Sequence, residues 1–299
     1  MAPEPGRSAS AGTLYVVATP IGHPEDLSPR AERTLREVDL IAAEDTRTTG
    51  RLLARLGFSK PMLSFHDHNE SQRTTGIVRR LGEGMNVALV SEAGTPLVSD
   101  PGFRLVRAAV AAGFRVAAIP GPSAAIAALS ISGLPTDRFL VLGFLPRRAA
   151  KRRAALQELR REAATLVLFE APHRVLATLE DLRAILGDRR AVLARNLTKE
   201  HEAVLRGSLS ELHAALAGLE FVAGEITLVL AGADAAEEGA WPEAAERAVE
   251  RLLAEGLAPS RVQGIVSHVF ALDRRDVYRR TLKAVREGRE HPPEGDDED

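Results

Sequence analysis

Eight short apolar runs, separated by stretches with helical periodicity, constrain the fold of this chain more than any other feature. The runs are apolar at nearly every position, which is typical of strands covered on both faces of a sheet. Pro29 to Val38, Phe103 to Ala112 and Val175 to Leu186 have helical periodicity and complete an alternation of strands and helices. The pattern predicts an α/β fold. The apolar runs are residues 14–19, 40–45, 87–94, 116–121, 139–146, 165–172, 191–198 and 226–232.

The length of 299 residues exceeds what one compact core usually fills and predicts more than one domain. A turn rich in glycine and proline ends one series of strands near residue 122 and leads into a helix of small residues. We therefore expect a disordered N-terminus at 1–12, an α/β domain at 13–122, a second α/β domain at 123–235, a small helical domain at 243–287 and a disordered acidic tail at 288–299.

Composition narrows the classes of function. The formal net charge of −2 provides no overall field that attracts nucleic acid, so any RNA-binding surface must be a local patch. The absence of cysteine excludes disulfides, thiolate nucleophiles and cysteine-bound zinc. No segment is long and apolar enough for a membrane span, and the N-terminus lacks the apolar stretch of a signal peptide. We expect a soluble, cytoplasmic protein with no membrane partner.

Four loops that directly follow predicted strands are rich in glycine, proline and small polar residues. Open α/β sheets bind ligands at the carboxyl ends of their strands, and glycine permits close approach of the backbone. Neither a GxxxxGK[ST] motif nor a GxGxxG motif follows a strand, which disfavours phosphate-bearing cofactors. A ligand held by backbone contacts, such as S-adenosylmethionine, fits better. The loops are residues 18–28, 91–102, 119–125 and 169–174.

Six segments of the sequence match, in order, the motifs of a known protein family. They are TPIGHPEDLSPRA (19–31), LIAAEDTRTTGRLL (40–53), HDHNE (66–70), SEAGTPLVSDPG (91–102), PGPSA (120–124) and FEAPHR (169–174). Taken in order, they resemble the tetrapyrrole methylase fold family, and within it the ribosomal RNA small subunit methyltransferase I group. The chain departs from the group's pattern in having His23 for asparagine, Glu92 for aspartate, Asn196 for glutamate and Ala223 for a basic residue.

The resemblance implies two α/β domains with a cleft between them, a homodimer, and S-adenosylmethionine as the methyl donor. It implies 2′-O-methylation of a cytidine ribose in the decoding region of 16S rRNA, within the small ribosomal subunit. The residues that match the donor site are Pro20, Gly94, Thr95, Leu97, Val98, Ser123, Ala124 and Leu168.

Five polar residues that follow apolar runs are candidates for catalysis. A ribose hydroxyl is a weak nucleophile, so a nearby group that accepts its proton would accelerate transfer. We favour Glu170 as this base or as an orienting group. Asp45 could instead cap a helix, and Lys199, as a cation, could instead hold a phosphate. The candidates are Asp45, Arg47, Glu170, His173 and Lys199.

A basic segment with five cations in seven residues begins at Arg147. Positive charge is unfavourable at the start of a helix, so the segment indicates phosphate contacts rather than an ordinary solvated helix. Two histidines elsewhere in the chain, His66 and His68, could bind a metal ion, but no third ligand is evident in the sequence, so we expect no metal. The predicted RNA-binding residues are Arg147, Arg148, Lys151, Arg152, Arg153 and Arg174.

Two alternatives stay open. A porphyrinoid C-methyltransferase would share the donor loops but would have no use for the basic segment. A non-catalytic RNA-binding protein of ribosome assembly would not need four ligand loops. Measuring the affinity for the methyl donor separates the second alternative from both enzymes.

Overall fold

A computed structural model describes residues 11–218, 223–233, 241–270, 272 and 274–290. The chain forms two compact units, one ending at Gly232 and the other beginning at Ala233. The first holds two five-stranded sheets and the second is helical, so the predicted α/β class with a helical tail is confirmed. No helix of the described residues is long and apolar enough to cross a membrane.

The expected disorder at the two ends falls mostly on residues 1–10 and 291–299, which lie outside the described residues. Gly12 was expected to be disordered, but its backbone N–H donates to the carbonyl of Leu81 at 2.8 Å. At the other end the last helix runs to Glu290, past the predicted end of the helical domain.

The first sheet is entirely parallel, with strand order β3-β2-β4-β1-β5. Alternate side chains of each strand enter separate cores: Ile41 joins the core on one face and Ala42 the core on the other. Both faces are therefore covered, which explains the apolar runs. The strands are β1 (Thr13–Val17), β2 (Leu40–Ala43), β3 (Met62–Ser64), β4 (Val87–Val90) and β5 (Arg115–Ile119). The helices are α1 (Pro29–Glu37), α2 (Thr46–Arg55), α3 (Glu70–Gly82) and α4 (Phe103–Ala111).

The second sheet has strand order β6-β7-β10-β8-β9. β6 and β7 are parallel, whereas the other pairs are antiparallel. The sequence did not predict β3, which has three residues, or β9, an edge strand without an apolar run. The strands are β6 (Phe139–Phe144), β7 (Thr165–Glu170), β8 (Arg190–Arg195), β9 (Ala203–Ser208) and β10 (Ile226–Leu230). The helices are α5 (Ala124–Ser132), α6 (Ala149–Glu158), α7 (Val175–Leu186) and α8 (Leu209–Ala217).

The second unit has a small core of its own. It is built from Ala245, Val249, Val262, Val266 and Val277, all at most 1% exposed. The helices that supply these residues are α9 (Glu243–Ala254), α10 (Pro259–Val269) and α11 (Arg274–Glu290).

Candidate functional site

A cleft of about 700 Å³ lies within the first unit, where loops that follow β1, β4 and β5 meet residues of the second sheet. The loops follow the carboxyl ends of parallel strands, the position at which open sheets of this kind bind ligands. Phe144, Phe169 and Ile226 supply apolar surface from the second sheet. The cleft thus joins backbone-rich loops on one side to an apolar wall on the other.

The loop between β4 and α4 is held in an unusual backbone conformation. Leu97 and Ser99 have φ of +73° and +67°, in the left-handed region that non-glycine residues seldom adopt. The buried carboxylate of Glu70 accepts hydrogen bonds from the backbone N–H of Gly102 at 3.1 Å and of Arg104 at 3.0 Å. Glu70, the last residue of the HDHNE segment, therefore holds the end of this loop in place.

Gly94 connects the same loop to the end of β1. Its N–H and carbonyl exchange hydrogen bonds with Thr19 at 3.0 and 2.9 Å. The Thr95 hydroxyl donates to the carbonyl of Pro122 at 3.0 Å, which ties in the loop that follows β5. Three of the predicted ligand loops are thereby fixed to one another before any ligand binds.

Six of the eight predicted donor-site residues line the cleft. The other two do not: the side chain of Leu97 packs against the core of the first sheet, and Leu168 is fully buried in the core of the second. Side chains alternate along a strand, so Phe169 is the residue of β7 that faces the cleft beside Leu168. The six are Pro20, Gly94, Thr95, Val98, Ser123 and Ala124.

Four carboxylates that the sequence reasoning missed also line the cleft: Glu225, which pairs with Lys199, and the three residues Glu44, Glu92 and Asp100. Glu44, Glu92 and Asp100 form no ion pair with a residue in the described part of the chain. Glu44 and Glu92 come one and two residues after buried strands, the same signal that singled out Asp45. Arg51 and Lys199 also line the cleft, so its carboxylates outnumber its cations.

Burial, together with the nearby carboxylates of Glu44, Asp67 and Glu92, raises the pKa of Asp100 to about 7, although a hydrogen bond with Ser91 opposes the rise. Burial also raises the pKa of Glu44, against the lowering effect of a hydrogen bond from the Glu92 N–H at 3.0 Å. Asp100 is thus a carboxyl group that gains and loses its proton near neutral pH.

Glu170, the favoured base, has its carboxylate engaged inside the protein. One oxygen accepts from the N–H of Ala171 at 2.7 Å and from Arg174, and the other accepts from the hydroxyl of Thr178 at 2.6 Å. The Glu170 side chain is 0% exposed although the residue borders the cleft. The Arg174 side chain is 14% exposed and also donates to the carbonyl of Leu145. The geometry assigns both residues to packing beside the cleft, rather than to proton transfer and RNA steering.

Asp45 takes the helix-capping role. Its carboxylate accepts from the N–H groups of Arg47 and Thr48 at 2.7 and 3.3 Å, and hydrogen bonds from Arg47 lower the pKa of Asp45 to about 2. A carboxylate with so low a pKa is a weak base. Arg47 and Asp45 do not line the cleft, and neither does the exposed His173.

Lys199 does line the cleft, where its amine pairs with Glu225 at 2.5 Å. Its loop contains Asn196, a departure from the family pattern, with φ of +54°. The Asn196 side-chain oxygen accepts from the Glu225 N–H at 3.1 Å and would lie 2.1 Å from a Cβ at Gly224. Asparagine tolerates the left-handed region and here holds the loop that presents Lys199.

The basic segment divides into exposed and buried cations. Arg152 has a side chain 6% exposed and pairs with Asp181 at 2.6 Å, so it is not available for phosphate. Arg153 pairs with the same carboxylate, although its own side chain is 64% exposed. Arg147, Arg148 and Lys151 are exposed and remain candidates for RNA contact. Among the described residues there is no group of three side chains suited to a metal ion.

Comparison with known proteins identifies the class of this fold and cleft. The family described as Tetrapyrrole (Corrin/Porphyrin) Methylases matches residues 13–213. The structure of the methyltransferase CobJ aligns with a TM-score of 0.58 at 20% identity, covering 75% of this chain and 95% of that one. A uroporphyrin-III C-methyl transferase from Thermus thermophilus, complexed with S-adenyl homocysteine, aligns with a TM-score of 0.51 at 21% identity, covering 73% and 97%.

Relatives at higher identity narrow the class. The ribosomal RNA small subunit methyltransferase I of Micromonospora olivasterospora is 49% identical over 93% of this chain and 88% of its own length. The protein of the same name from Pseudomonas aeruginosa is 47% identical over 92% and 98%. The chain therefore belongs to the tetrapyrrole methylase family, in the group of the ribosomal RNA small subunit methyltransferase I proteins.

Proposed function

We propose that this protein transfers a methyl group from S-adenosylmethionine to the ribose 2′-hydroxyl of a cytidine in the decoding region of 16S rRNA. The observation that carries the proposal is the cleft, where preformed backbone loops and unpaired carboxylates face an apolar wall. The names of relatives 47–49% identical to the chain support ribosomal RNA as the substrate. Acting on ribosomal subunits, the protein would work in the cytoplasm.

The cleft residues fit the methyl donor. Gly94 has φ of +79°, and a Cβ there would lie 3.3 Å from the Ile21 side chain, so the position favours bare backbone beside a ligand. The carboxylates of Glu44, Glu92 and Asp100 favour a ligand with positive charge, such as a sulfonium with an amino group. Val98 and Phe169 offer apolar surface to an adenosine. When bound, S-adenosylmethionine supplies a methyl group already activated on sulfur.

The protein has two tasks in such a reaction. Orienting the ribose hydroxyl toward the methyl group removes up to about 7–11 kcal/mol of the barrier in favourable cases. Asp100, rather than Glu170, would accept the hydroxyl proton, because it lines the cleft and a base with a pKa near the working pH is the most effective.

The test is methylation by the purified protein of small ribosomal subunits from a strain that lacks its gene, with isotope-labelled donor. We expect one labelled ribose in the decoding region, located by nuclease digestion and mass spectrometry. A tetrapyrrole assayed in parallel should stay unlabelled. Label on the tetrapyrrole and none on RNA would favour the porphyrinoid alternative. Failure of the protein to bind the donor by calorimetry would favour the non-catalytic one.

We also propose that the protein works as a homodimer. β6 is an edge strand, and Phe139, Leu140 and Val141 are each 38–39% exposed along it. An edge strand with unpaired backbone and exposed apolar side chains is a surface that another chain readily covers. A second copy of this chain is the occupant that the family resemblance implies.

A further inference from the structure

A second cavity, which we call the side pocket, adjoins the cleft between the loop after β1 and helix α2. Its volume is about 230 Å³. Pro20, Gly22, Thr48, Arg51 and Glu92 line both cavities, so the side pocket is continuous with the cleft. A ligand in the cleft can therefore extend into it.

Two arginines without ion-pair partners in the described part of the chain line the side pocket and outnumber its one carboxylate, Glu92. Arg51 and Arg55 lie four residues apart on α2 and both line the pocket. In the described part of the chain neither forms an ion pair, and Arg51 donates only to the Thr48 hydroxyl, at 3.1 Å. By contrast, Arg36 on α1 pairs with Glu32 at 2.7 Å. Like charges at this spacing repel each other, so an anion between them would be favoured.

Thr19 provides an independent indication of a ligand. It lines the side pocket and is 3% exposed, yet its hydroxyl has no hydrogen-bond partner among the described residues. Buried hydroxyls in native proteins are nearly always paired, because an unpaired one carries a desolvation penalty. An oxygen of a bound molecule would satisfy this hydroxyl.

We propose that the side pocket binds one phosphodiester group of the substrate RNA, next to the nucleotide whose ribose enters the cleft. This inference rests on the proposed function. Glu44 and Asp100 line only the cleft and repel phosphate there, whereas Arg55, which lines only the side pocket, and Arg51, which lines both cavities, attract it. Glu92 lines both cavities, as Arg51 does, whereas Arg55 lines the side pocket alone, so we expect the phosphate near Arg55. The opposite charges would thus place the ribose between donor and phosphate.

The experiment compares Arg51→Gln/Arg55→Gln with the matched control Arg33→Gln/Arg79→Gln. The control removes two exposed arginines from other helices, and neither residue lines the cleft or the side pocket. Affinity for an unmethylated decoding-region RNA is measured across salt concentrations, and affinity for the donor by calorimetry. We expect the test variant to lose about 0.7 from the log–log salt slope, the value for one phosphate of a single strand. Its donor affinity and the control's slope should not change.

Thr19→Val gives a second measurement, because valine keeps the shape and removes only the hydroxyl. We expect weaker RNA binding with an unchanged salt slope.

Two results for the Arg51/Arg55 variant would overturn the proposal. One is an RNA affinity and a salt slope that stay at wild-type values, and the other is a loss of donor affinity in place of a loss of RNA affinity. Inorganic phosphate that binds through Arg51 and Arg55 while the RNA slope is unaffected would identify a free-anion site and also overturn it. Methylation of the RNA by wild-type protein tests the proposed function separately. Failure of that methylation contradicts the proposed function, whereas an unchanged salt slope in the Arg51/Arg55 variant of an active protein contradicts only the proposal for the side pocket.

Discussion

At the scale of single residues, Gly94 has a left-handed backbone conformation and lies in the proposed donor site. Gly94→Ala places a Cβ in the left-handed region, which costs about 1–2 kcal/mol of stability. Gly113 has nearly the same φ, +77°, with no atom within 4 Å of a Cβ, so Gly113→Ala is a matched control. We expect similar losses in urea unfolding but a loss of donor affinity, by about tenfold or more, for Gly94→Ala alone. Equal donor affinity in the two variants would place the donor elsewhere.

Asp100 provides the second prediction at this scale. Asp100→Asn should lower single-turnover methyl transfer by about 10²-fold or more, since the proton acceptor is lost. The wild-type rate should rise with pH through about 7, as Asp100 becomes deprotonated, and the variant should lose this rise.

The control for Asp100 is Asp67→Asn, a nearby carboxylate that does not line the cleft. Removing its charge lowers the pKa of Asp100, so the rate profile should move to lower pH without loss of the maximal rate. A normal rate and pH profile in Asp100→Asn would exclude Asp100 as the base.

At the scale of elements, helices α6 and α7 are joined by two arginines on one carboxylate, Asp181. Arg152→Ala leaves a buried charge without its main partner and should lower the free energy of unfolding by about 3–5 kcal/mol. Arg153→Ala removes a mostly exposed partner and should lower it by less than about 1 kcal/mol. Urea denaturation measures both. Equal effects would contradict the structural role of Arg152 and restore it as a candidate for RNA contact.

At the scale of the whole molecule, the exposed edge of β6 predicts the oligomeric state. Val141→Lys puts a charge on this edge, a substitution that disfavours pairing with another chain. We expect a dimer for the wild type and a monomer for the variant in sedimentation velocity. Val110→Lys, at an exposed valine on α4, should remain dimeric. A monomeric wild type, or a dimer that persists in Val141→Lys, would contradict an interface along β6.

The sequence by itself determined the fold class, because runs of apolar residues and helical periodicity are local properties that tertiary packing preserved. Each of the eight predicted runs overlaps a strand, whereas β3 and β9 were missed because they have no such run. Six of the eight residues predicted for the donor site line the cleft, since they lie in loops rich in glycine and proline within a few residues of a strand end.

Only the tertiary structure decided which polar side chains face the cleft. Glu44 and Asp45 are adjacent in sequence, yet one lines the cleft and the other caps α2, because a strand and the helix that follows turn successive side chains in different directions. Arg152 was predicted to contact RNA, but it pairs with Asp181, a residue 29 positions away on another helix. Such pairing depends on distances between elements that no local pattern encodes, so charge in the sequence could locate the site but not assign its chemistry.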